Sequence, residues 1–179
     1  MSEEKPILIL GAGFGGLAAA NFLQKNLSSL SSAEYEITII DQKDYFMMGL
    51  VNLWILSGTR SLEDSKIDLN RLEKRGIRFL NNKITGIDIA SKTVKTTGPS
   101  TPGIEYDYLI IALGTEYALE EVNGFLENGG FNLYDPEQVP KLRERILSLK
   151  KGRIAICIAS IPYKCPPAPY EASLLINDI

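Results

Sequence analysis

Short apolar runs separated by glycine-, asparagine- and proline-containing breaks set the rhythm of the chain, and their spacing predicts strands alternating with helices. Pro6 to Leu10 is a continuous apolar run that ends on glycine, the pattern of a strand buried on both faces. Leu17 to Lys25 is rich in Ala and Leu and predicts a helix that ends in the Asn- and Ser-rich stretch Asn26 to Ser32. Tyr35 to Ile40 is β-branched and apolar and closes on Asp41, so the chain up to that point reads as a β-α-β unit. That is how a parallel sheet begins.

The middle of the chain is less periodic. Asp44 to Leu56, with Tyr45, Phe46, Met47, Met48 and Trp54, reads as a loop and short helix over the sheet. Asp68 to Arg75 predicts a short amphipathic helix and Ile77 to Leu80 a third strand. Ile84 to Ile89 and Thr93 to Thr97 flank Ala90-Ser-Lys92 as the arms of a hairpin, and Gly98 to Gly103 forms a turn. Tyr106 to Ala112 reads as another buried strand, Pro136 to Leu149 as an amphipathic helix with Val139, Leu142, Ile146 and Leu149 at helical spacing, and Arg153 to Ala159 as one more apolar strand. Four prolines then precede a final helix that runs to Ile179 without a glycine cap. The fold class is α/β.

Composition narrows the function. A chain of 179 residues with 45% hydrophobic content holds one domain and part of another. The net charge of -3, with both signs interspersed, offers no basic face to nucleic acid or anionic lipid. The first residues carry no secretory pattern, so a cytoplasmic address is expected, and the longest apolar runs are too short to cross a bilayer. Histidine is absent, which removes the usual general base and the commonest metal ligand. The two cysteines, Cys157 and Cys165, are too few for a tetrahedral zinc site, so no metal is expected and chemistry must come from a cofactor, a cysteine, or both.

The cofactor signal is Gly11-Ala-Gly-Phe-Gly-Gly16. In such a pattern the first glycine (Gly11) permits the tight turn, the second (Gly13) lets the backbone approach a pyrophosphate, and the third (Gly16) lets helix and strand pack closely. The helix that follows presents free N–H groups and the positive end of its dipole to phosphate. Gly11, Gly13, Phe14, Gly15 and Gly16 are therefore candidate cofactor contacts, joined by Asp41 and Gln42 at the end of the second strand. Asp41 sits where a carboxylate accepts hydrogen bonds from a ribose, and an acid there disfavours a ribose 2'-phosphate. These residues leave FAD and NAD open.

Two later segments carry a resemblance. A strand followed by a hairpin, then Tyr106-Asp-Tyr-Leu-Ile-Ile-Ala-Leu-Gly-Thr115, resembles the two-dinucleotide-binding flavoproteins, whose second FAD-contacting segment is an apolar strand ending in Ala-x-Gly. The segment Pro162-Tyr-Lys-Cys-Pro-Pro-Ala-Pro-Tyr-Glu171 resembles the redox-cysteine segment of the sulfide:quinone oxidoreductase and flavocytochrome c sulfide dehydrogenase branch of the FAD-dependent pyridine nucleotide-disulfide oxidoreductases. The resemblance implies a Rossmann-like FAD-binding domain with a β-hairpin insertion over residues 1–117 and the start of a second dinucleotide-type domain over 118–179. It implies FAD, contacted at Ile84, Ala112, Gly114 and Thr115, and a redox role for Cys165. Sulfide would react with a disulfide between Cys165 and a cysteine outside this chain, with electrons passing to a quinone or cytochrome.

From the residues alone, Cys165 in a stiff loop beside Lys164 should have a stabilised thiolate, whereas Cys157 within Ile154 to Ile158 should be a small core residue. A disulfide between the two would need the loop to fold back and is not expected. Relatives that hold FAD covalently use a cysteine after the second strand or beyond the Ala-x-Gly segment; here Phe46-Met-Met and Tyr117 to Gly130 have none, so the flavin is expected to be non-covalent. The family's C-terminal half is not in this chain. Completion by that half or by a partner chain is implied, with peripheral membrane contact through it, and homo-oligomerisation is left open. An NADH:quinone-type flavin reductase and a non-catalytic nucleotide-binding module are the alternative readings.

Overall fold

A computed structural model describes residues 5–30, 34–97 and 103–179. The expected turn Gly98 to Gly103 and the end of the Asn/Ser-rich stretch lie largely outside the described residues. The rest groups into two compact units, Met1–Phe46 with Ile67–Thr115, and Met47–Lys66 with Glu116–Ile179.

In the first unit, β1 (Lys5–Leu10), β2 (Tyr35–Asp41), β5 (Arg78–Asn81) and β9 (Tyr108–Ile111) form a four-stranded parallel sheet in the order β5-β2-β1-β9. The alternation of side chains along a strand divides the sheet into two faces. Ile7, Ile9, Ile37, Ile39 and Phe79 join Ala20 of α1 (Phe14–Leu30) and Leu69, Leu72 and Ile77 in one core. Leu8, Leu10 and Ile40 on the opposite face join Val94 and Tyr106 in a second. Val94 belongs to an antiparallel sheet of β6 (Ile84–Asp88), β7 (Thr93–Thr96) and β8 (Ile104–Glu105). A small ladder pairs β3 (Tyr45–Phe46) with β4 (Ile67–Asp68).

Several expectations are adjusted. The first helix does not end at Lys25 but runs to Leu30, because Asn21 and Asn26 turn their side-chain amides back onto the carbonyls of Leu17 and Phe22 and leave the helical ladder intact. Leu69–Arg75 is a 3-10 helix, entered through Asp68, whose carboxylate accepts from the Asn70 N–H, and closed on Gly76 at φ 71°. The β8 strand was not foreseen, since two residues carry no readable period. The strand at Tyr108–Ile111 is not buried on both faces: among the described residues it pairs only with β1, and Tyr108 and Ile111 are 51% and 62% exposed.

The second unit is helical among the described residues. Leu53, Ile55 and Leu56 of α2 (Asn52–Ser57), Val139 of α3 (Val139–Leu147) and Ala168 and Ala172 of α4 (Ala168–Asp178) share one apolar core with Val51. The stretch Met47–Lys66 thus contributes Val51, Leu53, Ile55 and Leu56 to a core shared with α3 and α4. The strand expected over Arg153 to Ala159 is absent: these residues pair with no other strand among the described residues, and Ile154, Ile156 and Ile158 are 46%, 39% and 40% exposed. A strand exists only through its ladder partners, and an apolar run without one cannot bury its backbone. Cys157 is correspondingly exposed, not a core residue.

Candidate functional site

The candidate cofactor residues of the first unit gather at the carboxyl edge of its parallel sheet. From β1 the chain returns to the sheet on one side as β2, while β9 flanks β1 on the other, which makes the end of β1 a topological switch point. The strand ends are tied together there: Gly11 N–H donates to the Ile40 carbonyl at 2.8 Å and Ala112 N–H to the Leu10 carbonyl at 2.8 Å. Gly11 to Gly16, Asp41 and Gln42, and Ala112 to Thr115 therefore leave one edge of the sheet side by side.

The three motif glycines differ in what surrounds them. Gly11 has φ 95°, and a methyl group placed on it would run into the Ala112 carbonyl oxygen. A methyl on Gly16 would strike the Gly11 carbonyl oxygen. Gly13, by contrast, faces open space, with nothing within 4 Å of where its Cβ would be. One glycine is thus required by the turn, one by the packing of α1 on β1, and one leaves room for a ligand beside the backbone. The N–H groups of Phe14, Gly15 and Gly16, in the first turn of α1, have no preceding turn to bond to. Such an arrangement could hold the diphosphate of an adenine dinucleotide such as FAD.

Asp41 braces the loop. Its Oδ2 accepts the Ala12 N–H at 2.7 Å and its Oδ1 accepts the Lys43 N–H at 2.9 Å. Each carboxylate oxygen has a second lone pair, so ribose hydroxyls can still be accepted. The bond to Ala12 was missed from sequence, because nothing in a residue type announces a carboxylate 29 positions away. Phe14 is exposed and meets Phe46 edge-on at 5.1 Å, another contact without a sequence signal. Gln42 is exposed, Ile84 opens β6 half-buried against the second core, Ala112 is half-buried, and Gly114 (φ 73°) and Thr115 are exposed.

Cys165 lies in the second unit. It is a free thiol, partly buried against the core of that unit, and it adopts φ 55°, a conformation rare for a non-glycine residue. It precedes α4, and its carbonyl accepts the Ala168 N–H at 3.0 Å. Cys157 and Cys165 are not joined. The Lys164 ammonium is directed to Tyr117: it donates to the Tyr117 hydroxyl at 3.3 Å and sits 5.8 Å from the Tyr117 ring centroid. Tyr117 in turn stacks on Tyr134. This tyrosine cluster was not foreseen, since its members are scattered along the chain. Among the described residues no group of His, Cys, Asp and Glu could hold a metal, and no helix is long and apolar enough to cross a membrane.

Known proteins extend this picture. Residues 5–157 match the family model described as pyridine nucleotide-disulphide oxidoreductase. The mitochondrial sulfide:quinone oxidoreductase of Dictyostelium discoideum is 30% identical over 96% of this chain and 38% of its own length. A type II NADH:quinone oxidoreductase of Staphylococcus haemolyticus is 32% identical over 80% of this chain and 34% of its own. Among solved structures, the sulfide:quinone oxidoreductase of Aquifex aeolicus superposes with a TM-score of 0.66 and 29% identity, over 80% of this chain and 32% of that one. The chain spans between a third and two fifths of the length of these two curated relatives. With a Rossmann-type parallel sheet, a glycine cradle at its switch point and the family match over most of its length, this chain belongs to the pyridine nucleotide-disulphide oxidoreductases, a family of flavoproteins.

Proposed function

We propose that the chain forms the FAD-binding and sulfur-accepting part of an oxidoreductase that oxidises sulfide and passes the electrons to a quinone or cytochrome. The observation that carries this reading is the start of α4. Where a second dinucleotide site would need a glycine turn and free N–H groups, this chain has Pro162-Tyr-Lys-Cys-Pro-Pro-Ala-Pro. Pro167 caps the helix, Pro169 has no N–H to give, and the Ala168 N–H is already taken by the Cys165 carbonyl. The start of α1 offers a nucleotide three successive N–H groups; the start of α4 offers a thiol instead. A small sulfur nucleophile suits that arrangement better than a nicotinamide dinucleotide.

In this reading FAD rests on Gly11, Gly13, Phe14, Gly15 and Gly16, with Asp41 accepting from its ribose and Gln42, Ile84, Ala112, Gly114 and Thr115 along its length. The open space at Gly13 supports that fit. When bound, FAD supplies the two-electron acceptor. Cys165 is the residue that carries sulfur, held by its proline frame, with the second redox cysteine supplied from outside this chain. The flavin is read as non-covalent, since Phe46-Met-Met and Tyr117 to Gly130, where covalent relatives carry the linking cysteine, hold none. A quinone acceptor would bring the whole protein to a membrane surface.

The relationship to type II NADH:quinone oxidoreductases favours a second reading, in which NADH is the donor. Anaerobic mixing of the FAD-loaded whole protein, its second redox cysteine present, with sulfide or with NADH separates them. Bleaching of the visible flavin band by sulfide alone is the expected result. Bleaching by NADH alone assigns the second reading, and no bleaching by either assigns a non-catalytic nucleotide-binding module.

A further inference from the structure

A carbonyl oxygen has two lone pairs, and a peptide whose carbonyl accepts two N–H donors is fixed more firmly than one held by a ladder bond alone. The Asp41 carbonyl is such an acceptor. Asp41 and Asn81 are the last paired residues of β2 and β5. There the Asn82 N–H donates to the Asp41 carbonyl at 2.9 Å, and the Asn81 side-chain amide donates to the same oxygen at 3.1 Å. The first bond continues the sheet, and any residue but proline at position 82 could make it. The second comes from an exposed side chain, so what Asn81 supplies is a bond rather than packing. The peptide it grips lies between Asp41 and Gln42, where β2 leaves the sheet. The Asp41 carboxylate is itself pinned between the N–H groups of Ala12 at 2.7 Å and Lys43 at 2.9 Å.

We infer that Asn81 is a positioning residue for adenosine: its amide holds the Asp41–Gln42 peptide and through it aims the Asp41 carboxylate at the ribose hydroxyls. The inference rests on the reading of the glycine loop as the FAD site. A carboxylate recognises a hydroxyl only while its free lone pairs stay within the narrow distance and angle that a hydrogen bond tolerates. Ala12 and Lys43 hold the two carboxylate oxygens, but both belong to loops that leave the ends of β1 and β2, and loops yield more readily than a ladder does. Asn81, in the β5 ladder, ties Asp41 to the sheet instead. Released from that tie, the carboxylate keeps its bonds to the loops and loses its register with the sheet.

The test compares ADP with 2',3'-dideoxy-ADP by isothermal titration calorimetry on the full chain, with folding checked by circular dichroism. The two probes share the adenine and the diphosphate and differ in the ribose hydroxyls, so the ratio of their affinities reads recognition of the ribose alone. The parent should bind ADP at least about tenfold more tightly, as expected for a hydroxyl bonded to a charged acceptor. Asn81→Ala should cut that preference about fivefold, the worth of the one bond removed, while the dideoxy probe binds as before. A merely structural loss would weaken both probes alike and leave the ratio unmoved. Arg78→Ala, which breaks the pair with Glu36 at 3.2 Å between the same two strands, should keep the parent ratio. A folded Asn81→Ala chain with the parent ratio overturns the inference. Should that variant not fold, Asn81→Asp keeps the shape and removes the donor; an unmoved ratio there overturns the inference equally. Failure of the FAD reading looks different, because it shows in the parent: ADP would then not bind, or would bind no better than its dideoxy form, and the inference would fall with it.

Discussion

Replacing Gly13 by Ala separates binding from folding. Gly13 faces open space, so the added methyl meets no protein atom within 4 Å. The unfolded chain loses freedom, which favours the folded state by about 0.4–1 kcal/mol. Against this, alanine is a poorer residue than glycine just before a helix, by a similar amount. The two effects oppose, and the stability of Gly13→Ala should stay within about 1 kcal/mol of the parent. Gly11→Ala is different, since φ 95° and the Ala112 carbonyl both resist a side chain. The left-handed conformation costs about 1–2 kcal/mol and a methyl forced against backbone about 1–3 kcal/mol more. For FAD the order reverses. A methyl at Gly13 occupies the space a phosphate must enter, and each charge-assisted hydrogen bond lost is worth about 1.5–3 kcal/mol, roughly 10- to 100-fold in affinity. Denaturant unfolding followed by circular dichroism, and FAD titration followed by flavin fluorescence, measure the two quantities on each variant. The reasoning fails if Gly13→Ala unfolds as readily as Gly11→Ala, or if it binds FAD as tightly as the parent.

Other sites give sharper or opposite expectations. Asp41→Ala removes the acceptor of the Ala12 N–H, so stability should fall by about 1–3 kcal/mol in denaturant titrations, together with FAD affinity. Ile156→Thr should leave unfolding within about 0.5 kcal/mol of the parent, as for an exposed site, rather than show the loss of a core residue. At the β6–β7 turn, hydrogen bonds from Ser91, then from Ala90, and the charge of Lys95 hold the Asp88 carboxyl below its usual range. A depressed folded-state value stabilises above the ordinary aspartate range and is lost as pH falls through the folded-state value. Protection of the hairpin amides, taken relative to their intrinsic exchange rates, should therefore fall as pH drops below the ordinary aspartate range, and Asp88→Asn should flatten that dependence.

The first unit was legible because its signals are local and redundant. The apolar run Pro6 to Leu10, the glycines behind it and the acid at position 41 each specify the same β-α-β turn. The second unit was less so. Ile154 to Ile158 has every local mark of a buried strand, yet burial needs a ladder partner that no local pattern contains, and Cys157 went with it. Met47–Lys66 joins α3 and α4 through long-range packing of Val51, Leu53 and Leu56, which a run without a clean period could not disclose. The partner of the Ala12 N–H and the chain Lys164–Tyr117–Tyr134 are three-dimensional facts built from ordinary residue types.

The proposed binding of FAD at the glycine loop of the first unit, without a covalent bond, underlies every functional step above. A visible absorption spectrum of the protein titrated with FAD, with the intact mass of the same sample after denaturation, tests it most directly. A saturable change in the flavin bands and a polypeptide mass with no flavin attached are expected. No change in the flavin bands, or a mass carrying the flavin, would contradict it.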